Sequence, residues 1–195
     1  DGLHADFKDI WLFKNDSPIE DIKFEDGEVV DARWVTIDKF LEMKENKEMN
    51  DKELKVCLVG SSGGHLTHLY MLKPFWKNKN RFWVTFDKED AKSLLENEKV
   101  YPCYYPTNRS IKALIKNLKV AYKVLKKEKP DLIISSGAAV AVPFFYIGKI
   151  MGAKLIYIEV FDRLDKPTMT GRMVYPITDK FIVQWEEQRK VYKKA

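Results

Sequence analysis

From residue 55 onward the chain repeats one pattern: a short apolar, β-branched run, then a longer stretch whose apolar positions recur every three or four residues. This predicts strands at 55–60, 81–86, 100–105, 131–135, 154–159 and 180–184, and helices at 64–76, 88–97, 109–128, 139–151 and 185–193. Lys129-Pro130-Asp131 closes one helix just before an apolar run, and Gly152 does the same before the run at 153–158. Strands alternating with helices imply an α/β fold, a doubly wound parallel sheet with right-handed crossovers. Ligands of such sheets bind at the carboxyl ends of the strands. That rule lines up residues 60–65, Asp87, 107–110, 135–139 and 159–163 on one rim, with Asp87 expected to cap the helix at 88–97.

The first 48 residues read differently. Strands are expected at 9–13 and 29–35, then a short helix capped by Thr36 or Asp38 with Phe40, Leu41 and Met43 on its apolar face. Residues 44–52 are polar and aperiodic, as in a linker. Charge divides at the same place. Residues 1–48 carry 7 Lys and Arg against 14 Asp and Glu, a net of −7, and residues 49–195 carry 27 against 15, a net of +12. The whole-chain value of +5 therefore joins an acidic piece to a strongly basic one. The chain opens on Asp1, as a trimmed chain or fragment would, and Met49 offers a start for the basic piece.

With 195 residues, 45% of them apolar, the chain can bury a sizeable core. Its two cysteines, Cys57 and Cys103, have no zinc-ligand spacing and suit a reducing compartment. No metal or cofactor is called for. No signal peptide is visible, and the longest apolar run, 138–148, is about half of what a membrane span needs. The helix at 109–128 sets Ile111, Leu114, Ile115, Leu118, Ala121, Tyr122 and Leu125 at core spacing. Lys112, Lys116, Lys119, Lys123 and Lys126 share an arc of roughly 80°. Such an arc is either a solvated face or a surface for anionic lipid head groups, with Tyr101, Tyr104, Tyr105, Trp76 and Trp83 as core or interfacial aromatics. No stacking platform or nucleic-acid motif accompanies it, so nucleic acid is not an expected partner.

The chemistry concentrates in Gly60-Ser61-Ser62-Gly63-Gly64-His65, between the first strand of the basic piece and its helix. The glycines let the backbone turn tightly and approach a ligand, and the helix start offers N–H groups and a partial positive charge to an anion. The spacing matches neither Gly-x-Gly-x-x-Gly nor a Walker loop. A plain βα turn is the bland alternative.

Residues 55–195 resemble the bacterial PssD/EpsE-type exopolysaccharide and capsule proteins. These are similar to the acceptor-side, membrane-associated subunit of the two-part UDP-N-acetylglucosamine transferase of dolichol-linked glycan assembly. The resemblance is carried by 59–66, Pro106-Thr107-Asn108-Arg109-Ser110, Pro130-Asp131-Leu132-Ile133-Ile134-Ser135-Ser136-Gly137, Ala141-Val142-Pro143, Tyr157-Ile158-Glu159, Thr170-Gly171-Arg172 and 181–186. A more distant likeness, through Gly63-Gly64-His65 and Lys129-Pro130-Asp131, runs to the N-terminal half of MurG. The resemblance implies the Rossmann-like N-terminal half of a GT-B glycosyltransferase, not active alone. A second small chain would carry the UDP-sugar-binding half, and the acceptor would be a polyprenyl-diphosphate-linked saccharide. The setting implied is cytoplasmic, peripheral on the inner face of the cell membrane. Residues 1–48 resemble the C-terminal part of a Nudix hydrolase through Asp9-Ile10-Trp11-Leu12-Phe13 and Asp31-Ala32-Arg33-Trp34-Val35-Thr36. The Nudix catalytic box is absent, so no diphosphatase activity is expected. The expected domains are thus 1–48 and 49–195.

Glycosyl transfer needs an acceptor hydroxyl deprotonated, a leaving diphosphate stabilised and both held close. His65 is the expected base and Glu159 its rival. Ser61, Ser62, Gly63, Gly64, Asn108, Arg109, Ser136, Gly137, Arg163 and Arg172 are the candidates for holding the acceptor and its phosphates. Each has a structural alternative; Glu159, for example, could simply pair with Arg163. At the level of function, the alternatives are a non-catalytic membrane anchor that activates a partner transferase, and a free-standing nucleotide-binding Rossmann protein.

Overall fold

The computed structural model describes residues 54–107, 110–164 and 166–193. The expectations for residues 1–48, and for Asn108 and Arg109, lie outside the described residues. Six strands, β1 (Val56–Val59), β2 (Arg81–Phe86), β3 (Val100–Cys103), β4 (Leu132–Ser135), β5 (Lys154–Ile158) and β6 (Lys180–Ile182), form one sheet in the order β3-β2-β1-β4-β5-β6. Every pairing is parallel, with Val59 opposite Ser135 and Ser135 opposite Tyr157. The doubly wound parallel sheet is therefore as expected. The chain reverses its direction of travel across the sheet between β1 and β4, which opens a crevice at their carboxyl ends.

Both faces of the sheet are covered, so β1, β2 and β4 are almost wholly buried. Val56 and Leu58 pack with Leu66, Leu69, Trp76 and Trp83 on one face. Cys57 and Val59 pack with Phe82, Val84, Ile133, Leu155 and Tyr157 on the other, under the helices α4 (Ile111–Glu128) and α5 (Ala141–Ile150). Trp76 and Trp83 are 1% and 0% exposed, so they are core residues and not interfacial aromatics. Burial pushes the Cys57 thiol up and the Cys103 thiol to about 12, so both are inert.

Several elements depart from expectation for identifiable reasons. The helix expected at 64–76 is two, α1 (Gly64–Met71) and α2 (Lys73–Trp76), broken where Pro74 lacks an N–H and its ring would clash with the preceding turn. Asp87 does not cap α3 (Glu89–Leu94). Lys88 occupies the N-cap position, and Asp87 pairs with Lys92 at 3.4 Å. An unforeseen helix, α6 (Met169–Val174), starts at Thr168, whose Oγ1 accepts the Gly171 N–H at 2.9 Å. The helix expected at 185–193 is a single 3-10 turn, Glu186–Lys190. Its flanks are tied elsewhere: Trp185 Nε1 donates to the Phe161 carbonyl and Tyr192 reaches Glu159.

The largest departure is the rotation of α4. It buries Ala113, Asn117, Ala121, Val124, Leu125 and Glu128, while Ile115, Leu118 and Tyr122, assigned to the core by periodicity, are 51%, 40% and 51% exposed. Two polar anchors set this rotation. Asn117 accepts the Tyr104 N–H at 2.9 Å and donates to its carbonyl at 3.0 Å. Glu128 pairs with Lys55 and Lys99 at 2.7 and 2.8 Å and accepts from the Tyr101 hydroxyl. Burial alone would raise the Glu128 carboxyl, but these three donors outweigh it and hold it at about 2.

Candidate functional site

Residue 65 follows β1 and residues 136–137 follow β4, so topology alone brings them to the crevice. The contact there is reciprocal. His65 Nδ1 lies 2.9 Å from the Ser136 carbonyl, and Ser136 Oγ donates to the His65 carbonyl at 2.8 Å. A carbonyl can only accept, so the proton sits on Nδ1 and the Nε2 lone pair is open. Nε2 makes no hydrogen bond to a described residue. Burial lowers the His65 pKa, partly offset by the Ser136 bond. At neutral pH the ring is therefore an uncharged imidazole with its basic nitrogen unengaged, the state a general base requires.

The far wall of this contact is Gly137, at φ +127°. A methyl there would come 2.6 Å from His65 Cε1 and 3.2 Å from the Tyr157 hydroxyl. Only glycine permits both that backbone angle and the approach of the imidazole. Ser135 Oγ fixes the loop by accepting the Gly137 N–H at 3.0 Å.

The glycine turn differs from expectation in one respect. The Gly63 N–H, assigned to an incoming phosphate, already donates to Asp90 Oδ2 of α3 at 2.7 Å. The carboxylate therefore takes the outermost amide of the turn. The next amides, of Gly64, His65 and Leu66, meet no acceptor among the described residues. Gly63 also lines a groove of about 390 Å³ between α1 and α3, together with Leu66, Thr67, Tyr70, Asp90, Ser93 and Leu94. The entrance is thus capped at one amide but flanked by open space. Ser61 and Ser62 are half-buried in the turn.

Glu159, at the end of β5, is 0% exposed and makes no ion pair with a described cation, Arg163 included. Its oxygens accept from the Tyr192 hydroxyl at 2.7 Å, from Thr168 Oγ1 at 3.0 and 3.1 Å, and from the Val160 N–H at 3.1 Å. Tyr157, Thr168, Gly171 and Tyr192 thus join the site without having been singled out as site residues. Thr168 carries a readable signal, a hydroxyl three residues before Gly171; Tyr192 carries none. Arg163 and Arg172 are exposed, and among the described residues neither side chain makes a hydrogen bond or ion pair. Among the described residues no cluster of side chains could hold a metal ion, and no helix is long and apolar enough to cross a membrane.

The chain is similar to known proteins in sequence and to solved structures in fold. A family model for "Oligosaccharide biosynthesis protein Alg14 like" matches residues 103–195. The UDP-N-acetylglucosamine transferase subunit ALG14 of Debaryomyces hansenii is 33% identical over 175 residues, covering 72% of this chain and 73% of that protein. The human protein of the same name is 22% identical over 175 residues, covering 74% and 81%. In fold, the crystal structure of MurG from Acinetobacter baumannii superposes with a TM-score of 0.54 at 16% identity, over 67% of this chain and 45% of that one. A UDP-N-acetylglucosamine 2-epimerase from Rickettsia bellii gives 0.60 at 18%, over 72% and 41%. The chain spans less than half the length of either solved structure.

Proposed function

The chain belongs to the Alg14-like family, and from that premise we propose that it is the acceptor-binding, membrane-associated subunit of a two-chain glycosyltransferase. In this reading a sugar moves from a UDP-sugar to a polyprenyl-diphosphate-linked saccharide at the cytoplasmic membrane face, in capsule or exopolysaccharide assembly. Relatives named as subunits of a UDP-N-acetylglucosamine transferase support the assignment. So does the size of the described fold, one doubly wound sheet matching under half of a MurG chain. Residues 1–48 are, on the same proposal, a separate and catalytically silent Nudix-like piece.

One observation carries the chemistry: His65, held by Ser136 as an uncharged base at the crevice between β1 and β4. Its Nε2 takes the proton of the acceptor hydroxyl, the oxygen bonds to the anomeric carbon, and the bond from that carbon to the UDP diphosphate breaks. The amides of Gly64 to Leu66 and the hydroxyls of Ser61 and Ser62 hold the acceptor beside it. Arg109, Arg163 and Arg172 supply charge for its diphosphate. The nucleotide-sugar pocket comes from the partner chain.

The surface of α4 favours a second role within the same assembly. Ile115, Leu118 and Tyr122 form an exposed apolar strip beside the lysines at 112, 116, 119, 123 and 126. Lys126 and Lys116 lie 5.7 and 4.9 Å over the Tyr122 and Tyr104 rings. An apolar strip bordered by cations suits the head-group layer of an anionic bilayer. If that were the whole function, the chain would be an anchor and activator. Reconstitution separates the readings: the partner subunit is mixed with UDP-sugar and a detergent-solubilised lipid-linked acceptor, with and without this chain. Transfer only with both chains present is expected. Full transfer by the partner alone would leave this chain as an anchor.

A further inference from the structure

We infer that the C-terminal segment is built into the site: Tyr192, acting through Glu159 and Thr168, positions the Gly137 wall against which His65 is seated. The inference rests on the reading of His65 as the residue facing the acceptor, and it makes Glu159 and Tyr192 positioning residues.

Hydrogen-bond direction can be followed step by step. Glu159 makes no ion pair with a described cation, and its oxygens accept every hydrogen bond they make with described residues. Tyr192 gives one, and burial and the neighbouring carboxylate push its phenol well up, so it stays protonated. Thr168 spends its only hydroxyl proton on Glu159 and accepts the Gly171 N–H. The Tyr157 hydroxyl, 3.3 Å from Thr168 Oγ1, must therefore be the donor in that pair. The same Tyr157 oxygen is 3.2 Å from where a Gly137 side chain would begin, and His65 occupies the other side of that glycine.

Two glycines bracket this path. Gly137 admits the imidazole at one end. At the other, a methyl on Gly171 would lie 2.4 Å from the Tyr192 oxygen and 2.6 Å from Glu159 Oε2. The α6 backbone thus comes as close to the carboxylate as a glycine allows. The Tyr192 ring packs in a three-ring cluster with Phe181 and Tyr175, at 4.2 and 5.1 Å, so packing holds the ring that carries the hydroxyl. Removing the hydroxyl leaves that packing in place, which separates positioning from folding.

The test is NMR of the full chain carrying 13C-labelled histidine, titrated with pH in the absence of partner or substrate. Y192F, T168V and T168S are compared with wild type and with E187A, an exposed change in the same segment. Y192F and T168V are expected to move the His65 Cε1 resonance and its titration midpoint, while T168S and E187A overlay on wild type. In the reconstituted transferase Y192F is expected to lower turnover about tenfold with little change in the acceptor KM. E159Q is expected to keep the acidic limb of the pH–rate profile. A folded Y192F with the wild-type His65 signal overturns the inference, as does an E159Q enzyme whose acidic limb is gone, which would make Glu159 the base. If Y192F melts too low for comparison, T168V against T168S decides on the same criterion. Because the NMR arm needs no sugar transfer, its outcome is independent of the proposed reaction.

Discussion

At the residue scale the proposed site rests on a histidine whose charged form burial disfavours and on a glycine that makes room for it. The His65 pKa lies below its ordinary value because burial disfavours the imidazolium. The folded state therefore binds that proton less readily than the unfolded chain. Its stabilising contribution is complete above about pH 6.5 and is lost as pH falls below that value. The transfer rate of the complex should likewise be flat above about pH 6.5 and fall only below it; a rate still climbing between pH 7 and 8 would rule out this base. Gly137→Ala places a Cβ 2.6 Å from His65 Cε1 at φ +127°. It should destabilise the protein by about 2–4 kcal/mol, measured by urea denaturation. A loss below about 0.5 kcal/mol would show that the loop can move aside.

At the scale of elements, the central strands were legible because each is a short apolar run buried on both faces, and their parallel arrangement followed from alternation with helices; the strand order came from the structure. The face of α4 was not. Periodicity finds an apolar stripe but cannot see that Asn117 and Glu128, both polar, are the residues pinned inward by Tyr104, Lys55 and Lys99. Exposure of Ile115, Leu118 and Tyr122 is the consequence, and it turns a lysine face into a mixed apolar and cationic one. The prediction at this scale is specific. Lys112→Gln, Lys119→Gln and Lys126→Gln together should weaken partition onto phosphatidylserine-containing vesicles by roughly 100-fold, at about 1 kcal/mol per lysine. Leu118→Ser should weaken it further, and none of these changes should lower the melting temperature appreciably. Undiminished partition of the triple variant would remove α4 from the membrane surface.

At the scale of the whole molecule, the sequence placed the glycine turn and the Ser135-Ser136-Gly137 loop on one rim, and the structure makes them neighbours because they end the two adjacent central strands, β1 and β4. It could not anticipate that Asp90 takes the Gly63 amide, or that residue 192 returns to residue 159, because both are long-range contacts without local periodicity. The proposed reading makes this chain the acceptor-binding half of a two-chain transferase, and the shared family is what supports it. The most direct measurement is turnover of the reconstituted pair on a lipid-linked acceptor, wild type against His65→Gln, with binding of the partner checked in parallel. The account predicts that the variant still binds its partner yet transfers sugar at least about 100-fold more slowly. Equal turnover by the two proteins would contradict it.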